Sequence, residues 1–287
     1  VTVNPNVAKG VEKMADPDFE NMTAEELKRF IQSGNEKDYL IVDVRQPEEY
    51  TDGHIPGAKF IPLNELVSDF SGLPQDRDLI FYCHSGGRSL AAASISSEEM
   101  VTEKRIYNLT GGILAWEGKT LKGFPKIQVF DKNKATRDLL FTAMDLEKGA
   151  WRFYTHILEN FDVDPINSFL KQLSQAEIGH AKTVYGFWKT VADAVRPFDE
   201  LFKDLKGEIL EGGDNLADVL DLLKNTKGNL CAHIIELALY IEYAAFDLYR
   251  TMADNAKDPT ARDTFITIAQ AEKSHMRTLA EALDQCK

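Results

Sequence analysis

Two hydrophobic periodicities divide this chain. Up to about residue 125, short runs dense in β-branched and aromatic residues alternate with helical patterns. Tyr39–Val44 and Asp78–Cys83 are short and rich in Ile, Val, Leu, Phe and Tyr, which predicts buried strands. Thr23 followed by Glu26 is a capping-box signature that predicts a helix closed by Gly34. Ser89–Glu98 and Ile113–Glu117 carry two further helical patterns, and strands alternating with helices predict a parallel α/β sheet with flanking helices. After Gly123 and Pro125 the strand signals stop. From Lys134 to Leu283 apolar residues recur at helical spacing, broken around Asp162–Pro165, Lys206–Asn215 and Asp254–Thr260. The expected layout is a tail at 1–20, an α/β domain at 21–121, a linker at 122–133 and an all-α four-helix bundle at 134–287.

Charge and composition narrow the partners. A formal net charge of -13 argues against nucleic acid, whose phosphates need clustered Lys and Arg. No run of about 18 apolar residues is present, so no membrane span is expected. Val1–Glu20 lacks the apolar segment of a signal peptide, so the cytoplasm is the expected location. The three cysteines, Cys83, Cys231 and Cys286, form no C-x-x-C pair, which excludes a zinc knuckle or rubredoxin-type iron site in this chain. So sparse a set predicts free thiols in a reducing compartment.

Cys83 has a distinctive neighbourhood. Leu79-Ile-Phe-Tyr-Cys83-His84-Ser85-Gly86-Gly87-Arg88-Ser89 reads as a strand ending at a cysteine, a tight loop, then a helix. Such a loop aims backbone N–H groups and a helix N-terminus at the sulfur, which favours the thiolate. A persulfide on Cys83 would be held by the same donors, and Arg88 would supply a cation for an anionic sulfur donor. The C-x4-R spacing makes a smaller loop than the C-x5-R cradle that wraps phosphate, so it favours sulfur.

With Asp43-Val-Arg45, Tyr50-Thr-Asp-Gly-His54-Ile-Pro-Gly57, Leu109-Thr-Gly-Gly112 and Trp116, residues 22–121 resemble a single-domain rhodanese. The resemblance implies a sulfurtransferase in which Cys83 carries the persulfide and residues 84–88 surround it. The implied partners are a sulfane-sulfur donor and a thiophilic acceptor. Asp43, Arg45 and His54 are expected to be structural.

The helical half contains a repeat. Glu147-x-x-Ala150-x-x-x-Tyr154 is followed by Glu177-x-x-His180, and Glu242-x-x-Ala245-x-x-x-Tyr249 by Glu272-x-x-His275. The spacing between the two glutamates is the same in both copies (147 to 177, 242 to 272). All four glutamates and both histidines fall on apolar stripes, such as Leu140, Met144, Glu147, Tyr154 and Phe265, Ile268, Glu272, His275, Leu279. An unpaired buried carboxylate costs several kcal/mol, and these stripes hold no Lys or Arg. Two divalent cations would balance four carboxylates. Glu and His at i and i+3 project from one helix face toward one ion, and an oxygen-rich set with one imidazole per metal suits iron or manganese better than structural zinc. Tyr154 and Tyr249 are placed to hydrogen-bond ligating carboxylates, or equally to be amphipathic core residues. His156 and His233 lie off the motifs and are read as ordinary residues.

Residues 134–287 resemble the rubrerythrin branch of the ferritin-like superfamily. The resemblance implies two iron ions, with manganese or a mixed pair as alternatives, held by Glu147, Glu177, His180, Glu242, Glu272 and His275. It also implies peroxide or oxygen as substrate, an electron donor and a homodimer. Two departures stand out. Ala245 occupies a position where such proteins commonly have a further Glu, and a C-terminal rubredoxin domain is missing from this sequence. The expected function is a sulfurtransferase fused to a di-iron redox domain; the alternative is an iron-storage bundle with a sulfur-carrier recognition module.

Overall fold

The computed structural model describes residues 18–130 and 135–286. Most of the expected tail at 1–20 and residues 131–133 of the expected linker therefore lie outside the described residues. The first half runs β1 (Glu20–Met22), α1 (Ala24–Ser33), β2 (Tyr39–Asp43), α2 (Pro47–Asp52), β3 (Lys59–Phe60), α3 (Leu63–Leu66), β4 (Asp78–Tyr82), α4 (Gly87–Glu98) and β5 (Ile106–Leu109). The strands form one sheet in the order β1-β5-β4-β2-β3, every neighbouring pair parallel. All five residues of β2 are buried, as expected for a strand covered on both faces. The Thr23–Glu26 capping box forms: Glu26 N–H donates to Thr23 Oγ1 (3.3 Å) and Thr23 N–H to Glu26 Oε2 (2.8 Å).

One helical expectation is corrected. Ile113–Glu117 is not an α-helix; the chain makes a 3-10 turn at Gly112–Ala115. Its N–H groups are drawn to the cysteine loop instead, Ile113 donating to the Cys83 carbonyl (2.8 Å) and Leu114 to that of His84 (3.2 Å).

Four long helices make up the second half: α5 (Thr136–Asn160), α6 (Asn167–Val191), α9 (Leu230–Asn255) and α10 (Pro259–Leu283). Between α6 and α9 lie two short helices, α7 (Phe198–Asp204) and α8 (Leu216–Lys224). α5 packs on α6 and α9 on α10, and α6 also meets α10. No helix among the described residues is long and apolar enough to cross a membrane. The expected linker is partly core: Phe130 is buried edge-to-face on Phe265, with Ile127 and Val129 beside it.

The halves touch through buried polar groups. Glu36 is 1% exposed, accepts from Lys273 Nζ (2.9 Å) and the Tyr39 hydroxyl, and pairs with Arg250 (3.3 Å). Asp247 on α9 accepts from Gly57 N–H (2.7 Å) and lies 3.1 Å from His54 Nε2. His54 thus has a structural role between the halves, and the cations on α9 and α10 are directed away from the bundle interior.

The free-thiol expectation holds for Cys83 alone. Cys231 and Cys286 form a disulfide, because pairing of α9 with α10 brings the first turn of α9 to the end of the chain's last helix. The bond spans 55 residues, and closing such a loop stabilises a fold by about 2–4 kcal/mol. Reduction is expected to lower Tm while leaving the helical circular dichroism at 25 °C intact, and Cys286→Ser should reproduce the shift.

Candidate functional site

Cys83 follows β4, and its loop runs directly into α4, so the fold aims the helix start at the sulfur. The thiol is 1% exposed. Gly86 N–H donates to Cys83 Sγ (3.1 Å), and Ser89 Oγ–H lies 3.5 Å from it. Burial alone would raise the thiol, but the hydrogen bonds from Ser89 and from the N–H groups of Ser89, Gly86 and Ser85 outweigh it and leave Cys83 below its ordinary range. Gly112 permits this nesting, since a Cβ there would sit 2.4 Å from the Cys83 carbonyl oxygen. The expectation for Arg88 changes. Its guanidinium makes a two-pronged pair with Glu49 of α2 (2.7 and 2.6 Å), which holds that carboxyl down to about 2. The cation is thereby fixed in direction and partly neutralised.

The depressed thiol has a direct readout. Alkylation of Cys83 by iodoacetamide should reach its half-maximal rate at a lower pH than a free cysteine does, since only the thiolate reacts. Ser89→Ala removes one donor to the sulfur, so the profile should move to higher pH and the rate near neutrality fall several-fold. An unchanged profile would remove Ser89 from the sulfur's environment.

In the bundle, α5, α6, α9 and α10 place Glu147, Glu177, Glu242 and Glu272 in the interior, each 0% exposed, with His180 and His275 beside them. Both members of the repeat converge on one centre. His180 Nδ1 lies 3.3 Å from Glu147, 3.3 Å from Glu177 Oε2 and 3.1 Å from Glu272 Oε1. His275 Nδ1 lies 3.0 Å from Glu242, 3.4 Å from Glu177 Oε1 and 3.0 Å from Glu272 Oε2. Glu177 and Glu272 therefore offer one oxygen to each imidazole, while Glu147 and Glu242 each serve one side. The rings stack with centroids 4.9 Å apart. The tyrosine bonds cross between copies: Tyr154 on α5 donates to Glu242 on α9, and Tyr249 on α9 donates to Glu147 on α5.

The repeat does not contain Glu211, which stands in the segment between α7 and α8 and is also 0% exposed. Sequence periodicity could not find it, because it lies on no helix stripe. Its Glu211-Gly-Gly-Asp setting reads as an ordinary turn.

A pair of metal ions fits this donor set. Glu147 Oε2, both oxygens of Glu177, Glu211 Oε2, both oxygens of Glu272 and His180 Nδ1 are buried without a hydrogen-bond partner. Such atoms carry a full desolvation penalty unless a cation meets them. The groups form two overlapping clusters with ligand-atom spacing suited to an ion: Glu177, His180, Glu272 and His275; and Glu147, Glu177, Glu211 and Glu272. Burial pushes Glu147 up to about 7 and Glu242 and Glu211 well above the carboxylate range. Burial would lower His275, but the carboxylates of Glu242, Glu272 and Glu177 outweigh it and push it to about 12. Without metal, the site would have to hold protons in place of cations.

Comparison with known proteins agrees with both halves. Residues 23–119 match the rhodanese-like domain family, and residues 138–283 match the rubrerythrin family. A sulfurtransferase of Allochromatium vinosum is 40% identical over 80 residues, 28% of this chain and 73% of that protein. A putative sulfurtransferase of Bacillus subtilis, YtwF, is 32% identical over 85 residues, 30% of this chain and 80% of that protein. The crystal structure of a rhodanese-like domain protein from Staphylococcus aureus superposes with a TM-score of 0.33 at 25% identity, covering 37% of this chain and 99% of that one.

Proposed function

The chain belongs to the rubrerythrin family, with a rhodanese-like domain fused ahead of its bundle, and from that premise we propose a two-centre enzyme. One centre transfers sulfane sulfur on Cys83. The other reduces peroxide or oxygen at a di-iron site held by Glu147, Glu177, His180, Glu242, Glu272 and His275. The observation that carries the second centre is the set of buried carboxylate oxygens that have no partner but one another and two imidazoles.

At the first centre the Cys83 thiolate attacks the outer sulfur of thiosulfate. The S–S bond of the donor breaks, sulfite leaves with the bonding pair, and a cysteine persulfide remains. The N–H of Gly86 and the hydroxyl of Ser89 hold the anionic sulfur. A nucleophile such as cyanide then takes the outer sulfur and returns the thiolate to Cys83. Arg88, steered by Glu49, presents positive charge at the rim where an anionic donor enters.

At the second centre, bound iron would supply two-electron redox exchange with the oxidant. The protein's part is to bind and orient. Glu177 and Glu272 would each offer an oxygen to both ions, His180 and His275 would hold one ion each, and Tyr154 and Tyr249 fix Glu242 and Glu147 through hydrogen bonds. The surrounding core of Leu140, Met144, Val184 and Ile268 excludes bulk water. An electron donor completes the cycle. The full-length protein loaded with ferrous iron and given a reductant should consume hydrogen peroxide over many turnovers. Iron uptake without repeated turnover would favour storage instead.

A further inference from the structure

Glu211 is not explained by the six-residue donor set. Its side chain is wholly buried, Oε2 has no partner, and Oε1 is 3.5 Å from the Tyr249 hydroxyl that also serves Glu147. A carboxylate oxygen of Glu211 lies within 4.8 Å of oxygens from Glu147, Glu177 and Glu272.

The segment that carries it is pressed onto α5. Asp145 accepts the N–H groups of Lys206 (2.7 Å) and Gly207 (3.1 Å), and Arg152 donates to the Gly207 carbonyl (3.1 Å). Ile209 bridges to Asn215, with Leu210 N–H on the Asp214 carbonyl (2.8 Å) closing the turn around Glu211. Two glycines allow the contact. A Cβ at Gly149 would lie 2.3 Å from the Ile209 carbonyl oxygen, and one at Gly207, whose φ is +55, would lie 2.8 Å from Gly149 N. Backbone touches backbone, and Glu211 is thereby carried into the bundle.

We infer that Glu211 is a metal ligand on the Glu147–His180 side only, delivered by the 205–215 turn, with Gly149 as the positioning residue that lets the turn dock. The inference rests on the di-metal reading. The repeat generates two similar halves, but Glu211 sits in the connection between them and has no counterpart in the other copy. The two positions therefore differ: one gains a carboxylate, the other keeps Glu242 and His275 with the shared acids. An additional anionic oxygen makes its position the tighter for a hard divalent ion.

The test is a cobalt(II) titration of the metal-free full-length protein, followed by visible absorption. The wild type should bind two ions per chain with unequal affinity. Glu211→Gln should weaken one ion at least tenfold and leave the other within threefold. Gly149→Ala, which favours the helix but blocks the turn, should weaken the same ion. Metal-free Glu211→Gln is expected to melt at or above the wild-type temperature, since a neutral amide replaces an acid crowded by Glu147, Glu177 and Glu272. Metal-free Gly149→Ala should melt lower but cooperatively, because displacing the turn also unpacks Leu210. Two unchanged affinities in Glu211→Gln would overturn the inference and leave the di-metal reading standing. Failure of the wild type to bind any cobalt would overturn both.

Discussion

Cys83→Ala should abolish thiocyanate formation from thiosulfate and cyanide, by about a thousandfold or more, because no other group can carry the sulfur. The alternatives fail on geometry. Cys231 and Cys286 are bonded to each other, leaving Cys83 as the free thiol. The thiolate is supported by donors that belong to the loop and to the start of α4, so a cysteine elsewhere would lack them. Alanine leaves the loop intact, since Ile113 and Leu114 still bind the carbonyls of residues 83 and 84. The variant should therefore fold, melt near the wild-type temperature and keep its full metal content. Residual activity above a tenth of wild type would take Cys83 out of the reaction.

The second large effect is expected at Glu272. Its carboxylate approaches both imidazoles, at 3.1 Å from His180 and 3.0 Å from His275, so Glu272→Ala removes a donor from both metal positions. Loss of a supporting group around a metal typically weakens it 10–100-fold, and loss of a shared ligand should exceed about 100-fold. Bound iron should fall from two per chain to one or none after dialysis, and peroxide turnover should disappear. Sulfur transfer at Cys83 should be unaffected. The metal-free variant should melt below the metal-free wild type, since Glu272 is the carboxylate paired with both imidazoles and its removal leaves them short of counter-charge. Retention of two tightly bound ions would exclude Glu272 as a shared ligand.

Much of this arrangement was legible because the acids interrupt helical stripes that are otherwise apolar. Burial of Glu147, Glu177, Glu242 and Glu272 follows from the positions of Leu140, Met144, Ile268 and their neighbours, and the structure buries all of them. The α/β half was legible for a related reason: β2 and β4 are dense in Ile, Leu, Val, Phe and Tyr, and the cysteine loop joins a strand to a helix. Contacts between segments distant in sequence were not. The partner of Tyr154 is Glu242 and not an acid of its own repeat, which only helix packing decides. Arg88 looked free until α2 brought Glu49 beside it. Glu211 lies in a turn, where periodicity carries no information. The Cys231–Cys286 bond depends on the ends of α9 and α10 meeting, and cysteine counting pointed the other way. The 3-10 turn at Gly112–Ala115 is decided by carbonyls of the cysteine loop, not by local propensity.

The central claim is that the buried acids surround two metal ions, and anomalous X-ray diffraction at the iron absorption edge tests it most directly. Crystals of the iron-loaded protein should show two peaks between Glu177 and Glu272, one beside His180 and one beside His275. A bundle interior with no anomalous peak, or peaks confined to surface acids, would contradict the account.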